Sequence, residues 1–249
     1  MARSVRDVSD PATTRHLGQG KTAHLGEATW TALDSASKRP ILLVPIGSCE
    51  QHGPHLPLDT DTRVAIAVAE TVAARTPGLL VAPALGISAS GEHRGFPGTL
   101  SIGTAATEMV LIELARSADW SRGLVLINGH GGNHAAVQSA IDALTYEGRH
   151  VLSWWPAVPN GDAHAGRTET SLMLAIAPQL VRIEAVEPGN TTPLRELLPR
   201  LEHGGVRAVS ANGVLGDPAG ASAAEGAELL EALVGDAIER IVAWRASLD

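Results

Sequence analysis

Apolar residues along this chain follow two rhythms. Four short runs, at residues 41–46, 79–83, 124–127 and 151–154, are rich in Val, Leu and Ile and bounded by Gly, Pro, Asn or charged residues. Runs that are apolar on consecutive rather than alternate positions predict strands covered on both faces, as in a largely parallel sheet. Between and after them, apolar residues recur at helical spacing over 62–75, 105–118, 134–146, 169–177 and 223–245. The last of these is the clearest. Ser222 and Glu225 have the spacing of a capping box, and Leu230, Leu233, Val234, Ala237, Ile238, Ile241 and Val242 follow on one face. Alternating strands and helices predict an α/β fold with a mostly parallel central sheet. Residues 187–220 are rich in Pro and Gly and predict a loop with a short helix over 194–201, long enough to cover a site. Residues 1 to about 22 are polar and lack apolar periodicity. We therefore expect a loose N-terminal arm over 1–24, able to order against a partner subunit, and a single domain over 25–249.

Composition narrows the setting. The 249 residues are 44% apolar, enough for a substantial core. The 19 basic and 27 acidic residues give a formal charge of −8, with no basic block to follow a phosphate backbone, so nucleic acid is not an expected partner. Cys49 stands alone, which precludes an intrachain disulfide and suits a reducing, cytoplasmic compartment. We expect it to be a small buried residue without a role. The start has no apolar core of a secretion signal, and no segment approaches the ~20 apolar residues of a membrane span, so no membrane association is expected.

Polar side chains with chemical potential crowd three loops. The first is GSCEQHGPHLPLDTD at residues 47–61, directly after the first strand. In extended backbone residues i and i+2 point the same way, so Glu50 and His52 project together beyond the carboxyl edge of the sheet. Asp61 falls at the start of the next helix. A carboxylate there ordinarily caps the first turn, but its two oxygens are also able to bridge two cations. The second cluster, NGHGGNH at 128–134, follows the third strand and opens a helix. His130 is the next candidate ligand, while Gly131, Gly132 and Asn133 would line a pocket and bring backbone amides close to substrate. The third, DAHAGRTETS at 162–171, places His164 and Glu169 where a helix begins. An imidazole and a carboxylate near an activated water are suited to carrying protons or binding metal. Glu92 and His93, before Gly95-Phe96-Pro97-Gly98, and Trp155 are further pocket candidates. Serine-hydrolase, zincin and zinc-ribbon motifs are absent (GxSxG, HExxH, CxxC), as are the phosphate-cradling glycine patterns. Ligands of mixed nitrogen and oxygen type suit zinc, iron or manganese.

Taken together, Glu50-Gln51-His52-Gly53, Asp61, Asn128-Gly129-His130 and Glu169-Thr170-Ser171 resemble the creatininase (creatinine amidohydrolase) family. Leu25-Gly26-Glu27-Ala28-Thr29-Trp30, Phe96-Pro97-Gly98-Thr99 and Trp155 extend the resemblance over nearly everything past residue 24. It implies a three-layer α/β/α sandwich, a homo-oligomer such as a hexamer or octamer, and two divalent metal ions bridged by an Asp. By position, Glu50, Asp61 and His130 would bind one ion and His52 and Asp61 the other. Creatininase carries a Glu two residues after the motif His, where this chain has Gly132; Glu169 is the expected substitute. His164 stands in the place of the family's catalytic His. The stretch EQHGPHLPLDTDTR looks most like the mycofactocin-system branch, whose members resemble peptidases that trim a modified ribosomal precursor peptide. The resemblance therefore implies a metal-dependent hydrolase of a carbon–nitrogen bond acting on that peptide. The alternatives are hydrolysis of a small cyclic amide or formamide, and, in another class, a non-catalytic metal-binding assembly protein.

Overall fold

A computed structural model describes residues 23–248 of the chain. Among them, β1 (Ile41–Ile46), β2 (Leu79–Val81), β3 (Gly123–Asn128) and β4 (Val151–Trp154) form a sheet in the order β2-β1-β3-β4. Each neighbouring pair is parallel. The α-helices are α1 (Trp30–Asp34), α2 (Thr60–Arg75), α3 (Thr104–Ser117), α4 (His134–Tyr146), α5 (Arg167–Ile176), α6 (Leu194–Gly204) and α7 (Ala223–Ala246).

The period-two geometry of the strands sorts the core into two layers. Ile41, Leu43, Val125 and Ile127 face α2, α5 and α7 through Val64, Val68, Met173, Val234 and Ile241. Leu42, Val44, Leu124 and Leu126 face α3 and α4 through Leu111, Val137, Ala140 and Leu144. The result is the expected helix–sheet–helix sandwich, and burial on both sides explains why the strands read as unbroken apolar runs. The connection from β1 departs towards β2 and the connection from β3 departs towards β4, in opposite directions. The sheet therefore reverses between its two central strands, which is where open α/β sheets leave a crevice at the carboxyl ends.

Several boundaries differ from the expected ones. The second strand ends at Val81 rather than continuing to 83; Ala82 N–H still donates to Leu43 O at 2.8 Å, and beyond Pro83 the Leu85 N–H reaches Pro45 O at 2.9 Å. The short helix α1 carries too little apolar periodicity to be anticipated. Of the expected arm over residues 1–24, residues 1–22 lie outside the described residues. Its last two positions, Ala23 and His24, lie beside β2, where Val81 N–H donates to Ala23 O at 2.9 Å. No helix among the described residues is long and apolar enough to cross a membrane. The loop expected at 187–220 carries α6 and folds back so that Leu215 pairs with His164.

Candidate metal centre

The loop after β1, the loop after β3 and the start of α5 meet at the carboxyl end of the sheet. Asp61 is in the first turn of α2 but caps nothing. Asp59 takes the N-cap position, and the Asp61 carboxylate accepts from Ser48 Oγ at 2.8 Å and faces two imidazoles. His52 Nε2 is 3.0 Å from its Oδ1, and His130 Nδ1 is 3.0 Å from its Oδ2. Glu50, wholly buried, lies behind them; neither of its oxygens finds a hydrogen bond, although His130 Nε2 is 3.1 Å from Oε2.

Proton accounting shows what this arrangement lacks. His52 Nδ1–H donates to Glu50 O at 3.1 Å, and His130 Nε2–H donates to Ala89 O at 2.9 Å. With those protons committed, His52 Nε2 and His130 Nδ1 present lone pairs to the Asp61 carboxylate. Acceptors facing an acceptor in a dry interior are unfavourable unless cations or extra protons lie between them. The donor set of carboxylate oxygens and imidazole nitrogens is that of borderline divalent metals. Glu50, His52 and Asp61 bring ligand atoms within 4.8 Å of one another, as do His52, His164 and Glu169.

The electrostatics match. Burial lowers the pKa of His52, but the Asp61 carboxylate outweighs it and lifts the imidazole to about 10. His130 is likewise raised, against burial, by Glu50 and Asp61. Burial would raise Asp61, yet His52 and His130 hold it well below the usual carboxylate range. Glu50 is pushed up to about 8 by burial, only partly offset by His130, and burial lifts Glu169 to about 7.

Glu169 and His164 join from the third loop. Asp162 accepts from the backbone N–H groups of Arg167 and Thr168 and so serves the start of α5 in Glu169's stead. That leaves Glu169 free to turn inward, where Oε2 accepts from Ala165 N–H at 2.6 Å and lies 3.9 Å from His52 Nε2. Ala165 has φ 53°, a left-handed backbone rare for a residue with a Cβ, between the two functional side chains. His164 Nε2–H donates to Gln51 O at 2.8 Å, so the free lone pair is on Nδ1, 3.8 Å from Glu50 Oε1. Burial and the neighbouring His52 charge keep this ring in its neutral, basic form.

Gln51 was not anticipated as a working residue. Its Oε1 accepts from Gly53 N–H at 2.9 Å, which fixes the orientation of the amide, and its Nε2 then donates to Gly213 O at 3.1 Å and His93 Nδ1 at 2.9 Å. His93 consequently carries its proton on Nε2, facing Glu50 Oε1 at 3.1 Å. The sequence signal was an amide flanked by two candidate ligands; its partners are too distant in the chain to be read. Ser48 was missed for the same reason.

A cleft of ≈ 380 Å³ opens onto this cluster, with Asp61, His130 and Glu169 at its floor. Gly131 and Trp155 line it as expected, with Val158, Leu172 and Leu233 along one wall. Glu92, His93, Gly132 and Asn133, also expected in the pocket, do not line this cleft. Asn133 is a buried brace: its Oδ1 accepts from Ala89 N–H and its Nδ2 donates to Gly47 O and Asn128 Oδ1. Trp154 is core, its Nε1–H donating to Asp236, while Trp155 packs on His134. Cys49 is half-buried, not buried, with its thiol 3.6 Å from Gly98 O.

Comparison with known proteins places this architecture. The family model described as creatininase, creatinine amidohydrolase, matches residues 26–241. The chain belongs to the creatininase family. Among creatininase-family relatives, the mycofactocin precursor peptide peptidase of Mycolicibacterium smegmatis is 52% identical over 227 residues, covering 88% of this chain and 92% of that protein. A creatinine amidohydrolase from Pseudomonas putida is 35% identical over 72% of this chain and 82% of its own length. A mutant creatininase of Zn–Zn type superposes with a TM-score of 0.73 at 30% identity, covering 89% of this chain and 97% of its own. Membership accords with a metal-dependent hydrolase, and the buried cluster has the donors to bind divalent cations.

Proposed function

We propose that this chain is a metal-dependent peptidase that cleaves the modified mycofactocin precursor peptide at a carbon–nitrogen bond. One observation carries the reading: two imidazoles with their outer nitrogens committed turn their inner nitrogens onto one buried carboxylate, Asp61. That geometry favours a cation on each side of Asp61. Glu50, Asp61 and His130 would hold one, and His52, Asp61 and Glu169 the other, with Glu169 as the last carboxylate of the set. Cations held there supply Lewis acidity that acidifies water and polarises an amide carbonyl. Zinc and iron suit these donors, and manganese is compatible.

The protein's own part is positional. Gln51 O fixes the His164 ring so that Nδ1 is the nitrogen able to take a proton and return it to the departing amine. Ala165 N–H anchors Glu169 near His52 Nε2. The apolar wall of Leu172, Leu233 and Trp155 excludes water and offers a seat for a peptide's side chain. Support for a peptide substrate comes from the name of the 52%-identical relative. A test follows directly: incubate the zinc-loaded protein with the modified precursor peptide, creatinine and a panel of small amides, and analyse products by mass spectrometry. Cleavage confined to the peptide is expected; turnover of creatinine alone would overturn the substrate assignment while leaving the metal chemistry intact.

A further inference from the structure

Gly132 needs its lack of a side chain for space and not for backbone freedom. Its φ lies outside the left-handed region, yet a Cβ there would stand 2.0 Å from Glu92 Oε1, 2.4 Å from His130 Nε2 and 2.7 Å from Ala89 O. The Glu92 carboxylate, the His130 ring and the Ala89 carbonyl together occupy the volume that any side chain at position 132 would require. Glu92 comes from the turn before Arg94, some forty residues away in sequence, and its side chain is 33% exposed. It is not among the residues that line the cleft.

What Glu92 faces is His130. Its Oε1 is 3.4 Å from His130 Nε2, the nitrogen whose proton goes to Ala89 O, on the edge of the ring opposite Asp61. Beside it lies Glu50, wholly buried, with Oε2 3.1 Å from the same nitrogen. Glu50, Glu92 and His130 together bring potential ligand atoms within 4.8 Å of one another.

We infer that Glu92 is a positioning residue for the metal centre: its carboxylate backs the outer nitrogen of His130, and Gly132 exists to leave it room. A carboxylate behind a ligating imidazole fixes which nitrogen carries the proton, holds the ring's orientation and strengthens the lone pair on the other nitrogen. Here that lone pair is on Nδ1, towards Asp61. The inference rests on the metal reading above. It couples position 132 to position 92 through the outer edge of the His130 ring.

The test is a double-substitution cycle read on metal affinity. Zinc dissociation constants of the wild type, Glu92→Gln, Gly132→Ala and the double variant are measured by chelator competition, with visible spectra of the cobalt-substituted forms. Glu92→Gln preserves shape, so it remains informative even if Gly132→Ala fails to fold. Each single substitution is expected to weaken zinc binding by about 10-fold to 100-fold and to shift the cobalt spectrum. The double variant should be no weaker than the worse single. Wild-type affinity and spectrum in Glu92→Gln, or losses that multiply in the double variant, would overturn the inference alone. A wild type that takes up no zinc would remove the metal reading itself, and this inference with it.

Discussion

At the scale of single residues the chemistry converges on Asp61, which has two imidazoles and a serine hydroxyl on its two oxygens. Asp61→Ala should lose both activity and bound metal, measured by turnover and elemental analysis; full activity with metal retained would falsify the centre. His164 is separable from it. His164→Asn should leave metal content close to wild type while the rate falls by roughly 10²–10⁴-fold, the usual contribution of a positioned acid or base; loss of metal instead would make this ring a ligand. Protonation follows from the same geometry. Asp61 lifts His52 to about 10 in the metal-free protein, so at neutral pH the ring carries a proton that an arriving cation has to displace. Zinc affinity should therefore weaken as pH falls, and uptake should release protons. Calorimetry in two buffers of different ionisation enthalpy checks this, and a heat independent of the buffer would contradict it. Glu50 and His52 were legible because they closely follow an apolar run in the sequence, although β1 ends at Ile46 and both lie in the loop beyond it. Gln51 and the pairing of Glu92 with Gly132 were not, since they depend on segments brought together only by the fold.

Among the elements, α7 was read correctly from sequence because its cap and periodicity are local: Ser222 Oγ accepts from Glu225 N–H at 3.2 Å. Removing that cap with Ser222→Ala should cost about 1 kcal/mol without touching activity. How closely α7 packs was not legible. A Cβ on Gly226 would fall 1.8 Å from the Ser171 carbonyl oxygen, so α7 meets α5 backbone to backbone with no spare room. Gly226→Ala should destabilise by about 1–3 kcal/mol and lower Tm by roughly 2–4 °C per kcal/mol. Because α5 carries Glu169, the same substitution should also reduce turnover, which distinguishes it from the cap variant in paired melting and activity assays. Strand limits show the converse. Regular pairing of β2 stops at Val81 although the apolar run continues to 83, so composition overstated the strand.

Over the whole molecule, a sheet covered on both faces followed from the unbroken apolar strands, whereas the order of those strands did not. That order is what matters. β1 and β3 are adjacent in space although β2, α2 and α3 lie between them in the chain. Glu50, His52 and Asp61 come from the segment that follows β1, and His130, His164 and Glu169 from the chain after β3. No contiguous fragment short of this pairing holds a complete set of donors, so competence to bind zinc is a late event in folding, waiting on long-range parallel contacts. A polypeptide severed between β2 and α3 should yield two halves that are each zinc-blind, and mixing them should restore binding only in proportion to reassembly.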